Sequence, residues 1–176
     1  MAGLEATKET GGCERLWCRI TDRADRPWSV PLVPRVGTNT LRALGQVEHS
    51  PSAPVLALVR HPYNRLVSAW RYVPTLEQWE GRWPEDWPEF IRMLMDSDPE
   101  TLDRHLRPQV WFHGEHKPEK VLRFNMLSKH LTPVRGDIRK NVTPYNIPWP
   151  WYDDTLYRGI IDYYADDMAC FMAGIG

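Results

Sequence analysis

Cysteine is scarce in this 176-residue chain, and neither sign of charge is in excess. The three cysteines, Cys13, Cys18 and Cys170, are odd in number and lack metal-ligand spacing. That argues against a disulfide scaffold and predicts free thiols in a reducing compartment. A formal net charge of -1 gives no global pull toward nucleic acid or an anionic membrane, so neither is an expected partner. No apolar run approaches the roughly 18 residues of a membrane span. The start, MAGLEATKETGG, has no basic stretch leading into an apolar core, so a cytoplasmic protein is expected. The Walker spacing G-x-x-x-x-G-K-[ST] is missing as well, which disfavours an ordinary ATP or GTP phosphotransferase. No His or Cys spacing calls for a metal, and none is expected.

What the chain does have is local basic character. Seventeen of the 22 cationic residues are arginine, the side chain best shaped for bidentate contact with phosphate or sulfate. Two segments concentrate it. In the first, Ser29 to Pro34 reads as a strand, Arg35-Val36-Gly37-Thr38-Asn39-Thr40 as a loop, and Leu41 to Leu44 as a helix, with Gly37 allowing close backbone approach to a phosphate. In the second, Val55 to Val59 is a short apolar run of the kind a buried parallel strand needs. Arg60 and His61 follow it, and Pro62 suits the first turn of a helix. On that helix Arg65 and Ser68 lie a turn apart, so Arg60 and Ser68 could share one anion, with solvation of Arg60 and Arg65 as the alternative. Two such sites in tandem imply a ligand with two separated phosphate-like groups.

The remaining pattern alternates strand and helix: a helix over Asp86 to Met95, a strand over Val121 to Phe124, and one long final helix capped by Asp153 or Asp154. Its apolar stripe runs through Leu156, Ile160, Ile161, Tyr164, Met168 and Phe171. This order predicts an α/β, three-layer, P-loop-like fold with a central, mainly parallel sheet flanked by helices. Residues 1-12 read as a disordered N-terminus and 13-176 as a single domain. Both anion loops would lie beyond the carboxyl ends of the strands. Five of nine tryptophans, Trp79, Trp83, Trp87, Trp149 and Trp151, fall in or beside Trp- and Pro-rich stretches; they either plug the core or, for Trp79 or Trp83, face an acceptor.

Taken together, the two segments resemble the motifs of the 3'-phosphoadenylyl-sulfate-dependent sulfotransferases, in particular the carbohydrate branch. Pro34 to Thr40 is similar to the family's 5'-phosphosulfate loop, P-K-x-[GA]-[ST]-[ST], and Val59 to Tyr72 to its 3'-phosphate motif. Further likeness follows in the family's order at Asp86 to Leu94, at Leu102 to Gln109 (the H-W-x-P-Q segment), at Lys120 to Leu127 and at Lys140 to Thr143. The resemblance implies transfer of a sulfonate from 3'-phosphoadenylyl sulfate to a hydroxyl of a glycan or small acceptor, leaving adenosine 3',5'-bisphosphate. It places Arg35, Val36, Gly37, Thr38, Asn39 and Thr40 around the phosphosulfate. Arg60 and Ser68 fall on the 3'-phosphate, with Arg139 and Lys140 closing over it. His105 is the first choice of base and His61 the second, with Glu89 and Asp103 behind them.

Three positions depart from the family pattern. Arg35 replaces its lysine, Asn39 its second hydroxyl and His61 its usual acid. Arg35 keeps the charge but is a poor proton donor. A nucleotide-binding protein without turnover therefore stands as the alternative reading, and a small-metabolite kinase as a more distant one. Glycan-modifying members usually carry an N-terminal anchor, so its absence implies a bacterial or viral setting or a trimmed chain, and the sequon at Asn141 to Thr143 is read as incidental.

Overall fold

The computed structural model describes residues 15-75, 83-131 and 153-174. The terminal residues 1-12, Trp79, Trp149, Trp151, Arg139 and Lys140 lie outside them.

Strand β1 (Trp17–Thr21) and β2 (Pro27–Pro31) form an antiparallel hairpin pairing Trp17 with Pro31 and Thr21 with Pro27. Asp22 closes its turn, Oδ1 accepting from the amides of Ala24 and Arg26 at 2.9 and 3.0 Å and Oδ2 from the Trp28 indole at 2.8 Å. These donors, the indole first, hold its carboxyl below the usual carboxylate range. After α1 (Thr38–Leu44), the short β3 (Gln46–Glu48) pairs antiparallel with β1. Strand β4 (Leu56–Val59) is buried along its whole length and pairs parallel with β5 (Lys120–Arg123), Leu56 opposite Lys120 and Val59 opposite Arg123. The two sheets meet at a single parallel bridge, Ser29 to Val55, where the Ser29 amide donates to the Pro54 carbonyl at 3.0 Å.

The structure is therefore α/β, but the expectation of a mainly parallel sheet is corrected. Among the described residues, parallel pairing is confined to β4 and β5 plus that bridge, whereas β1, β2 and β3 pair antiparallel. The physical reason is the hairpin N-terminal to the first anion loop, whose tight Asp22 turn requires antiparallel neighbours. Strand β2 also ends before Leu32 and Val33, because the Val33 amide turns back to the Pro31 carbonyl.

The helices follow their sequence signals closely. Helix α2 (Pro62–Tyr72) starts with proline in its first turn, and α3 (Trp87–Met95) is capped by Asp86, whose carboxylate accepts from the Glu89 amide at 3.0 Å. Trp87, Phe90, Ile91 and Leu94 bury one face of α3 at helical spacing. Trp87 thus plugs the core, and Trp83 packs on Phe90 with its indole donating to the Trp70 carbonyl. Strand β5 leads through a 3-10 turn into the short α4 (Leu127–His130).

The single long final helix is also corrected. Asp153 caps α5 (Asp154–Tyr163), the chain breaks helical geometry at Tyr164 (φ -108°, ψ 39°), and α6 (Ala165–Ala173) follows. One non-helical residue barely disturbs the apolar stripe, so periodicity alone could not reveal the break. At Gly159 helix α5 approaches α3 so closely that a Cβ would collide with the end of Met95.

Two apolar clusters result. One packs α2, α3 and α5 around Leu66, Trp70, Phe90, Leu94, Leu106 and Ile160. The other lies between the strands and α1, around Val30, Leu32, Val36, Leu41, Leu58 and Leu122. Among the described residues no helix is long and apolar enough to cross a membrane.

His113, in the 3-10 turn Val110–His113, is 5 % exposed, and its Nε2 has no hydrogen-bond partner among the described residues. Burial lowers its pKa to about 4. The folded chain then binds this proton less readily than the unfolded chain does, so stability falls as pH drops from about 6.5 toward 4, by roughly 3 kcal/mol across that window. His113→Gln is expected to flatten this part of the dependence of unfolding midpoint on pH, measured by denaturant titration from neutral to acid. A slope as steep as that of the parent chain would rule His113 out as its source.

Candidate active site

The loop expected to meet the first anion joins β2 to α1 and turns on two left-handed residues, Arg35 (φ 64°) and Gly37 (φ 74°). For a non-glycine residue that conformation costs about 1–2 kcal/mol, so the surroundings must hold Arg35 in it. Three donors do so. The Val36 amide and the Thr38 hydroxyl both donate to the Val33 carbonyl, Arg65 Nε donates to the Pro34 carbonyl at 3.1 Å, and Arg60 Nη1 donates to the Arg35 carbonyl at 3.2 Å. Glycine at 37 is needed for its positive φ and because a Cβ there would stand 2.8 Å from the Phe124 ring. The structural demand at this position is thus backbone shape and ring packing.

The two sequence segments converge. The Arg35 guanidinium donates through Nε and Nη2 to Ser68 Oγ on α2, at 3.1 and 3.0 Å. Its carbon sits 4.3 Å above the centroid of the Tyr72 ring, one turn further along α2. On Tyr72, in turn, packs His105, with ring centroids 5.6 Å apart. Arg35, Ser68, Tyr72 and His105 therefore form one connected group. The His105 Nδ1 lies 2.8 Å from Asp103 Oδ1, and the His105 amide donates to the same oxygen at 2.9 Å. Asp103 is 3 % exposed, and the imidazole remains partly open to solvent.

Arg60 is held at the end of β4 by Gln109. The side-chain amide of Gln109 accepts from the Arg60 amide at 2.9 Å and donates to its carbonyl at 2.8 Å, extending the ladder like a strand neighbour. Gln109 is itself gripped by Asp167 of α6, whose carboxylate accepts from the amides of Gln109 and Val110 at 2.8 and 2.9 Å. The break at Tyr164 aims Asp167 at these amides. Burial pushes the Asp167 carboxyl up, opposed by the nearby Arg65 and by these donors. Arg65 is 2 % exposed, and burial lowers its guanidinium below its ordinary value, opposed chiefly by Asp167.

His61 stands apart from this group. Its ring lies edge-on to Phe171 at 5.1 Å, its Nε2 is 3.4 Å from the Tyr157 hydroxyl, and none of the hydrogen bonds described for it reaches Arg35 or Ser68. Burial lowers its pKa, favouring neutral imidazole within the packing of α5 and α6. Glu89 lies exposed in the first turn of α3. Asn39 is exposed, and Val36 is buried in the strand-side cluster. Thr40 sits half-buried in α1.

Sequence reasoning missed three members of this framework. Arg65 was open to a solvated reading, yet it is buried; an arginine flanked by Leu66, Val67 and Ala69 was the available signal. Tyr72 and Asp167 carried none, since their partners are remote in sequence.

Chemically the arrangement favours an anion. Residues 33-40 and 60-72 contain four arginines and no acid, and the Arg35 fork that meets one serine hydroxyl is shaped for two oxygens of a phosphate or sulfonate. Among the described residues no group of His, Cys, Asp or Glu is placed to hold a metal ion. No curated protein and no solved structure matches the chain. The model of the sulfotransferase family matches residues 35-133, a stretch that holds Arg35, Arg60, Ser68, Tyr72, Asp103 and His105 and covers more than half of the sequence, so the chain belongs to the sulfotransferase family.

Proposed function

We propose that this chain moves a sulfonate group from 3'-phosphoadenylyl sulfate to a hydroxyl of a carbohydrate or another small acceptor. The observation that carries the reading is the meeting of the two arginine-bearing segments through Arg35 and Ser68, with His105 one aromatic ring away. The donor supplies an activated sulfonate on a phosphate leaving group. Ser68 and Arg60 hold its 3'-phosphate, and the segment from Arg35 to Thr40, which by sequence reads as a loop throughout but enters α1 at Thr38, receives the phosphosulfate. Arg35, with the amides of Gly37 and Thr38, neutralises charge on the bridging oxygen. His105 takes the acceptor proton. Arg139 and Lys140 are assigned to closing over the 3'-phosphate, and the compartment proposed is the cytoplasm of a bacterial or viral setting.

Ligand-induced thermal shift tests the donor. At a hundredfold excess over its dissociation constant, adenosine 3',5'-bisphosphate adds about 2.7 kcal/mol. For a chain of this size that raises the unfolding midpoint by roughly 5–10 °C. ATP is expected to give little shift, and Ser68→Ala to lose most of the bisphosphate effect. A preference for ATP with magnesium would instead favour the kinase reading. Sulfonate transfer to a panel of glycans and phenols completes the test. Because Arg35 stands where the family has lysine, binding without any transfer would favour a nucleotide-binding protein that has lost turnover, with Arg35→Lys as the variant to restore it.

A further inference from the structure

We infer that Asp103 is a positioning residue that fixes the tautomer of His105, presenting Nε2 as the atom that accepts the acceptor-hydroxyl proton. The inference rests on the reading of His105 as the base and assigns the group that makes it one.

The local geometry leaves the imidazole little choice. Asp103 is buried, and an ionised carboxylate only accepts hydrogen bonds. Its Oδ1 lies 2.8 Å from His105 Nδ1 and also accepts from the His105 amide at 2.9 Å. The contact is therefore favourable only when Nδ1 carries the proton, which leaves the Nε2 lone pair free. The turn itself is stiff. The Asp103 carbonyl accepts from the amides of Leu106 and Arg107 at 2.8 and 3.1 Å, and Arg107 Nε donates to the Leu102 carbonyl at 2.7 Å. Leu102 and Leu106 are fully buried on either side of it. The Tyr72 ring limits the imidazole on the flank facing Arg35.

The step balances without any further reactant. As the acceptor oxygen bonds sulfur, its proton passes to Nε2. The bond between sulfur and the bridging oxygen breaks, and that oxygen leaves with its electron pair on the bisphosphate. Asp103 stays ionised throughout and stabilises the imidazolium that forms.

Two measurements test this. The first needs only the parent protein: nitrogen-edited NMR of the His105 ring at alkaline pH is expected to show Nδ1 protonated and Nε2 bare. The reverse tautomer would overturn the inference, whatever the fate of any variant. The second compares Asp103→Asn and Asp103→Glu with the parent. Asp103→Asn is expected to lower kcat by about a hundredfold, near the lower end of what a positioned base contributes. KM for the donor should remain unchanged, and Asp103→Glu should recover part of the loss by restoring the carboxylate. A kcat for Asp103→Asn within twofold of the parent, with His105→Ala inactive, would overturn the role of Asp103 and leave the base in place. Full transfer by His105→Ala would remove the base itself, a separate result obtained on a separate protein.

Discussion

Arg65→Met is expected to lower the free energy of unfolding by about 1–3 kcal/mol, the usual effect of leaving a buried acceptor, here the Pro34 carbonyl, without its donor. Methionine fills much of the same space but returns nothing to the Pro34 carbonyl, and it withdraws the positive charge that opposes desolvation of Asp167. Asp167 would keep its donors, the backbone amides of Gln109 and Val110 and the Gln109 side chain, but lose the charge that favours its ionised form. Against a typical domain stability of about 5–15 kcal/mol, a loss of this size is substantial. Denaturant midpoints measure it. A double-mutant cycle with Asp167→Asn isolates the cause, because neutralising the acid should make the arginine less necessary and recover more than about 1 kcal/mol. Strict additivity of the two single losses would show that the two charges do not speak to each other. The left-handed backbone at Arg35 leans on the same contact, so Arg65→Met should also weaken bisphosphate binding.

His105→Ala carries the largest expected effect on turnover, a fall of about 10²–10⁴-fold in kcat, the range over which a positioned general base contributes. Donor affinity should hardly change, because Arg35 and Ser68 contact each other and the loop without help from the imidazole. Steady-state kinetics and a binding titration on one preparation check both halves. If kcat falls and donor binding falls with it, the imidazole would be supporting the loop, and its assignment as base would fail. If neither changes, another group takes the proton.

Much of this site could be read ahead because its determinants are local. A strand, an anion loop and a helix occur twice in succession, and Pro62, Asp86 and Asp153 sit where the first turns begin. Arg35, Arg60 and Ser68 stand out as candidates by residue type and spacing and His105 with the help of the family resemblance, and Arg35, Ser68 and His105 meet in the structure through Tyr72. What stayed hidden depends on partners distant along the chain. Arg65 becomes a buried support once its guanidinium meets the Pro34 carbonyl, and its neighbours Leu66, Val67 and Ala69 hint at burial without naming that partner. The antiparallel hairpin was missed because Trp17 to Thr21 lacks clean alternation, with Trp17, Cys18 and Ile20 all buried. The break at Tyr164 involves neither proline nor glycine, and its cause is tertiary: the buried phenol donates to the Leu106 carbonyl while Asp167 turns to the turn after it.

The recognisable stretch ends at residue 133, yet the carboxylate that anchors Gln109, and through it Arg60, belongs to α6 well beyond that limit. Kinship and rigidity are thus recorded in different parts of the chain. The residues that advertise ancestry are braced from behind by α6, which delivers one acid to two peptide nitrogens. A fragment cut to the recognisable region would keep Arg35, Ser68 and His105 and lose the acid that backs Gln109 and Arg60.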